Sequence, residues 1–123
     1  MHNLNEIKVW KKAIELSKKV YQITQYYPEE EKYGLITQMR RSAVSVASNI
    51  AEGAGRNSNK EFTHFLGIAR GSSYELQTQI IISLQLNYLK GSNSDEMLKI
   101  IDEIQKMIYG FTKSLISDLT SKI

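Results

Sequence analysis

The chain has 123 residues, of which 41% are hydrophobic and 24% charged, with one proline and seven glycines. This is enough material to bury a core in one domain, it is not the composition of a disordered segment, and so few turn formers imply few, long elements. The absence of cysteine excludes disulfides, thiolate nucleophiles and cysteine-ligated zinc, while sixteen Lys and Arg against thirteen Asp and Glu leave a net charge of +3, which permits an anionic partner without demanding one.

The opening residues Met1 to Glu6 carry an acid early and no apolar core of the signal-peptide kind, which fits a cytoplasmic protein. Ile7, Trp10, Ile14, Ser17, Tyr21 and Thr24 then recur at steps of three and four, widened by Val9, Ala13, Leu16, Val20 and Ile23. That period predicts a first helix over about 6–27, closed by Tyr27-Pro28 because proline cannot donate the next backbone bond. Glu29 to Glu31 place negative charge where a second helix should start, and Leu35, Met39, Ser42, Ala43, Val46 and Ile50 give its inward stripe over about 31–54, ending at Gly53 and Gly55.

Ser58-Asn59-Lys60-Glu61 reads as a capping box opening a third helix over about 58–90. Its stripe is Phe62, Phe65, Leu66, Ala69, Ser73, Leu76, Ile80, Ser83 and Asn87, and it stops at Lys90-Gly91-Ser92. The uncharged run between Glu75 and Lys90 holds too many amides and hydroxyls to span a bilayer. A fourth helix over about 94–120 carries Met97, Ile101, Ile104, Ile108, Phe111, Leu115 and Leu119. Four long amphipathic helices on short links predict an all-α, antiparallel up-and-down four-helix bundle in a single domain, 1–123.

The second helix has no charge from Ser42 to Ala51, and at about 100° per residue Val44, Ala47, Ser48 and Ala51 turn away from its core stripe. Gly67, Gly71, Tyr74 and Thr78 similarly share the outer face of the third helix. A helix that is small or apolar all round needs two covers, so these eight positions form a candidate interface between copies of the chain. The competing reading is that they let helices of one bundle approach closely.

For chemistry, Arg40, Arg41, Arg56, Lys60 and Arg70 are the candidates for a phosphate-binding surface, because guanidinium groups grip phosphate oxygens in a bidentate way. A solvated scatter of charge is the plain alternative. Glu52 and Arg56 are spaced as an ordinary i, i+4 ion pair. Arg41 either meets Glu75 on the third helix or faces solvent. Lys8, Lys11, Lys12, Lys18 and Lys19, opposed only by Glu6 and Glu15, suggest a second basic strip. His2 and His64 stand apart, and no HExxH, Glu-x-x-His pair, Walker loop or nucleophile elbow is present, so the sequence predicts no enzyme, no metal and no cofactor. Arg56 and His64 are too widely separated for the arginine–histidine motif of helical-bundle RNases.

Val9-Trp10-Lys11-Lys12-Ala13, the run from Tyr33 to Val46, Asn49-Ile50-Ala51-Glu52-Gly53 and the run from Phe62 to Ser72 together resemble the four-helix bundle proteins encoded in intervening sequences of bacterial 23S rRNA genes. The chain is also similar to the accessory variability determinant of diversity-generating retroelements, although its charge is lower than in those relatives. The resemblance implies a bacterial cytosolic protein, a ring-shaped homopentamer, an interaction with RNA or DNA, and no catalysis. It carries over as motif positions Tyr33, Gly34, Gln38, Arg40, Arg41, Asn49, Glu52, Gly53, Arg56, Gly71 and Glu75. The resulting expectation is an oligomer that binds structured RNA through arginines, with a scaffold or protein-interaction module lacking nucleic-acid affinity as the alternative.

Overall fold

In a computed structural model, which describes residues 2–121, four helices run as α1 (Lys8–Thr24), α2 (Leu35–Ala54), α3 (Asn59–Gln85) and α4 (Gly91–Ser121). No strand occurs among the described residues. Each helix packs on the next and α4 returns to α1, with the α2–α3 pair the most extensive. Cross-helix pairs fix the antiparallel sense: Lys12 meets Glu103 and Lys19 meets Glu96 between α1 and α4, and Ser45 meets Ser72 while Met39 meets Ser83 between α2 and α3. This is the expected up-and-down bundle.

The core runs through the middle of all four helices. Leu16, Met39, Ile50, Phe62, Leu66, Leu76, Ile80, Met97, Ile101, Ile104 and Ile108 are almost wholly removed from water. In α1 the centre of the buried face is Val9, Ala13, Leu16, Val20 and Thr24, whereas Ile14 and Tyr21, expected inside, are exposed. The apolar band of α1 is wider than the face its neighbours cover, and the smaller residues take the closest approach. Phe111 is half-buried and stacks edge-on against Phe62 at 5.0 Å; the side chain of Leu119 lies outside the described residues.

The helix ends depart from the expected bounds for local reasons. The first helix is preceded by a single 3-10 turn, Leu4–Glu6, capped by Asn3, and ends at Thr24, three residues before Tyr27. The acidic run Glu29–Glu31 forms a 3-10 turn of its own rather than the start of α2, because the backbone of Gly34 (φ −111°, ψ −115°) interrupts the helix. Glu31 then serves as a remote cap, accepting from the Leu35 backbone N–H at 3.3 Å and from the Tyr88 hydroxyl at 2.9 Å.

Ser58 caps α3 by accepting from the Glu61 N–H at 3.2 Å, and its own hydroxyl donates to the Glu61 carboxylate. The third helix stops at Gln85, well short of Lys90, and Asn87 is not a core residue but an exposed one at φ +62°. Its left-handed backbone lets the Tyr88 N–H reach the Ser83 carbonyl at 2.9 Å, the closing bond of a Schellman-type helix end. The fourth helix opens at Gly91 rather than at about residue 94, and Ser94 is buried within it, with its hydroxyl bonded to the Gly91 carbonyl.

Candidate nucleic-acid interface

The five cations expected to form one basic surface are divided among three places. Arg40 and Arg41 sit in the first half of α2, where the helix borders α1 on one side and α3 on the other. Arg56 and Lys60 lie at the opposite end, about 20 Å away at 1.5 Å of rise per residue. Arg70 is on α3 beside α4, with the Tyr74 and Tyr109 rings each 5.9 Å from its guanidinium.

Only part of this charge is uncommitted. Arg56 bonds to Glu52 at 2.6 Å, with Glu61 at 4.0 Å, and lies over the Phe65 ring at 4.8 Å. The strip on α1 is partly neutralised too, since Lys12 pairs with Glu103 at 2.6 Å and Lys19 with Glu96 at 2.5 Å. Those hydrogen bonds, with the carboxylate charges, raise both lysines above their ordinary pKa, and the Lys12 hydrogen bond, with the Lys12 charge, holds Glu103 below the usual carboxylate range. Among the described residues, no acid pairs with Arg40, Arg41, Lys60 or Arg70.

Arg40 is held in place by neutral groups. Its Nε donates to the Thr24 hydroxyl at 3.0 Å, and its guanidinium covers the Tyr21 ring at 4.5 Å. A charge fixed by neutral partners keeps its full attraction for an anion. Tyr21, Thr37, Arg40, Arg41, Val44 and Ser45 line a groove along the α1–α2 border. The contribution of Tyr21 escapes sequence reasoning, because nothing local to α1 reveals which residue of α2 crosses over it.

On the other side of α2, Gln38, Arg41, Ser42, Ser45, Glu75 and Gln79 line a polar cleft of about 470 Å³ against α3. Arg41 and Glu75 face this cleft from opposite helices, both exposed, and no ion pair joins them. Of the two alternatives for Arg41, the pair with Glu75 is not formed and the side chain faces solvent. Below them, Ser45 and Ser72 share a hydrogen bond at 2.8 Å and Asn49 donates to the Ser45 carbonyl and hydroxyl. The Gln79 side-chain oxygen is sealed from solvent without a hydrogen-bond partner. Sequence reasoning does not single out Gln79; its only signal is a position one turn after Glu75 on the same side of α3.

Of the other motif positions, Gly53 and Gly34 have structural roles. Gly53 is buried against α3, where a β-carbon would stand 2.8 Å from Phe62 Cδ1 and 2.9 Å from Phe65 Cβ. Gly34 frames the cap made by Glu31, and Tyr33 is exposed beside Lys32. Gly67 and Gly71 are different: a β-carbon at either would have nothing within 4 Å. Close approach between helices of one bundle therefore does not account for them.

Of the eight interface positions, Val44 (41% exposed), Ser48, Gly67, Gly71, Tyr74 (47% exposed) and Thr78 do face outward. Ala47 and Ala51 do not. Both are half-buried, and Ala47 packs against the core, since about 100° of rotation from Val46 and Ile50 leaves these small residues on the shoulder of the inward stripe. His64 is exposed and rests edge-on against Phe65, while His2 packs against Phe62 and Phe111. Among the described residues, no three of His, Asp and Glu gather as metal ligands would, and no helix is long and apolar enough to cross a membrane.

No curated protein matches the chain. It is similar in fold to the crystal structure of a protein of unknown function from the S23 ribosomal protein family of Bacteroides thetaiotaomicron, with a TM-score of 0.79 at 22% identity over 85% of this chain and 95% of that one. The model of the family described as 23S rRNA-intervening sequence protein matches residues 5–110, which takes in all of α1, α2 and α3 and most of α4. By that match the chain belongs to the 23S rRNA-intervening sequence protein family.

Proposed function

We propose that this chain is a non-enzymatic, cytoplasmic, self-associating bundle that binds structured RNA, with Arg40 and Arg41 as its principal phosphate contacts. The observation that carries the reading is the state of those two guanidinium groups. They are successive residues of α2, Arg41 exposed and Arg40 half-buried, they have no acidic partner among the described residues, and Arg40 is braced by Thr24 and Tyr21 rather than neutralised. Lys60 and Arg70 add charge at a distance from this centre, and Arg56 is committed to Glu52. The S23 ribosomal label of the structural relative makes ribosomal RNA the first probe to try.

Self-association would strengthen such binding, because a ring, a homopentamer by family resemblance, would repeat the Arg40–Arg41 edge around one assembly. The outward Gly67, Gly71, Tyr74 and Thr78 on α3, and Val44 and Ser48 on α2, are the surface it would use. The same surface favours a second reading, a scaffold that binds only protein, because Ile68, Ile81 and Ile82 on α3 and Leu86 just beyond its end add exposed apolar area.

Gel shifts with 23S rRNA fragments across a salt series separate the two. Phosphate-driven binding weakens steeply with salt, and replacing both arginines by alanine lowers the slope by about 0.7 to 0.9 for each phosphate no longer neutralised. No binding at low salt, or binding indifferent to Arg40→Ala/Arg41→Ala, leaves the scaffold.

A further inference from the structure

The cleft between α2 and α3 is not explained by phosphate binding, because one of its two charges is negative. Arg41 and Glu75 line it from opposite helices without pairing, so five N–H donors and two carboxylate oxygens remain unused across one opening. Gln38 and Gln79 add amides, and the Gln79 oxygen is closed off from water with no donor to satisfy it. At about 470 Å³ the opening falls within the roughly 300–1,000 Å³ of small-molecule sites.

We propose that this cleft takes an unstacked guanine base of the bound RNA. The inference rests on the RNA-binding reading and adds to it a base identity. Guanine carries acceptors, O6 and N7, on its Hoogsteen edge, the common bidentate target of arginine. On its Watson–Crick edge it carries N1–H and N2–H side by side, which suits a carboxylate taking two hydrogen bonds. Arg41 grips the first edge and Glu75 the second.

The other bases fit less well. Adenine turns its N6 amine toward the arginine on the Hoogsteen edge and offers the carboxylate one donor group on the other. Uracil has a single N–H between two carbonyls. Cytosine serves both charges, but on one edge, which needs the guanidinium and carboxylate close together; in the chain they stand beyond salt-bridge distance. The groove on the far side of Arg41, with Arg40 and Tyr21, supplies a continuous path for the adjoining phosphates, since Arg41 and Ser45 line both.

The experiment uses the full chain in its native assembly and a set of RNA hairpins that differ at one unpaired loop position: guanine, inosine, adenine, cytosine or uracil. Guanine is expected to bind about fivefold to a hundredfold more tightly than inosine, which lacks the N2 amine, or adenine. Glu75→Gln should erase that preference by bringing the guanine hairpin down to the affinity of the inosine hairpin, with the thermal melt unchanged. Salt-sensitive binding with no base preference, or with cytosine preferred, overturns the guanine site and leaves the RNA-binding reading standing.

If no hairpin binds at low salt, the RNA reading falls and the site is judged alone by NMR. Saturable shifts of the Gln79 side-chain amide with GMP and not with inosine 5′-monophosphate support it. Equal shifts with both, or none with either, overturn it.

Discussion

A β-carbon at Gly53 would stand 2.8 Å from Phe62 Cδ1 and 3.2 Å from the Phe62 carbonyl oxygen, so the C-terminal end of α2 touches α3 with no room for a side chain. Phe65 Cβ, at 2.9 Å, belongs to the same wall and cannot swing aside as a ring can. Alanine is the better helix former by about 1 kcal/mol, but here overpacking opposes it by roughly 1–3 kcal/mol. Gly53→Ala is therefore expected to lower stability, read as a reduced urea midpoint with an unchanged m-value. A midpoint equal to or above the parent's would show that the helices part at no cost.

Gly67 and Gly71 should respond in the opposite direction. Nothing lies within 4 Å of a β-carbon at either, so in the isolated chain each alanine gains helix propensity of about 1 kcal/mol. If a second copy covers this face, the added methyl groups hold it away. Gly67→Ala/Gly71→Ala protein is expected to melt at a higher temperature once dissociated and to sediment as a smaller species at equal concentration. An unchanged assembly would take the glycines out of the interface.

The four helices and their inward residues were legible because a period of 3.6 is a property of the chain itself: Met39, Ala43, Val46 and Ile50 are all fully buried where the spacing put them. What was not legible depends on which residues meet across helices. Gly53 reads as a helix-end marker, and only the position of Phe62 reveals the close packing there. Arg40 reads as one more surface cation until the α1–α2 register sets it over Tyr21. Asn87 fits the stripe of α3 by number yet ends the helix by its backbone angle, a choice the apolar period cannot register.

Asn87 at φ +62° makes a sharp test of that ending. The left-handed region costs ordinary residues about 1–2 kcal/mol, asparagine less and glycine nothing steric. Asn87→Gly should leave the melting temperature level or raise it, and Asn87→Val should lower it by several degrees. The order Gly, Asn, Val in thermal melts is the expected result; Val equal to Gly would mean that the Schellman-type bond to Ser83 does not form.

Glu103 carries the clearest pH signature. The Lys12 hydrogen bond, and then the Lys12 charge, keep its carboxyl below the ordinary range. A folded pKa below the unfolded one means that the contribution is complete above the unfolded carboxylate value and is lost as pH falls through the depressed folded value. Lys12 is shifted upward, so its share holds below the unfolded lysine value and is lost as pH rises through the raised one. An NMR titration should find Glu103 the more acidic in the parent and restored to ordinary values in Lys12→Met. Because both groups are open to solvent, salt should shrink the difference.

Glu31 joins the start of α2 to the link before α4, accepting from the Leu35 N–H and from the Tyr88 hydroxyl. The same hydrogen bond raises the Tyr88 hydroxyl above its ordinary pKa, burial and the Glu31 charge adding to it. Glu31→Ala removes both bonds and leaves the first turn of α2 without this acceptor, at an expected cost of about 1–2 kcal/mol. Tyr88→Phe removes one bond and keeps the ring packed on Tyr27 at 5.6 Å, so a smaller loss than that of Glu31→Ala is expected. In the double variant the shared bond is counted once, so the combined loss should fall short of the sum by about 0.5 kcal/mol or more, the coupling usual between touching residues. Strict additivity in a denaturant cycle would mean that the two residues are independent and that α2 is capped by Glu31 alone.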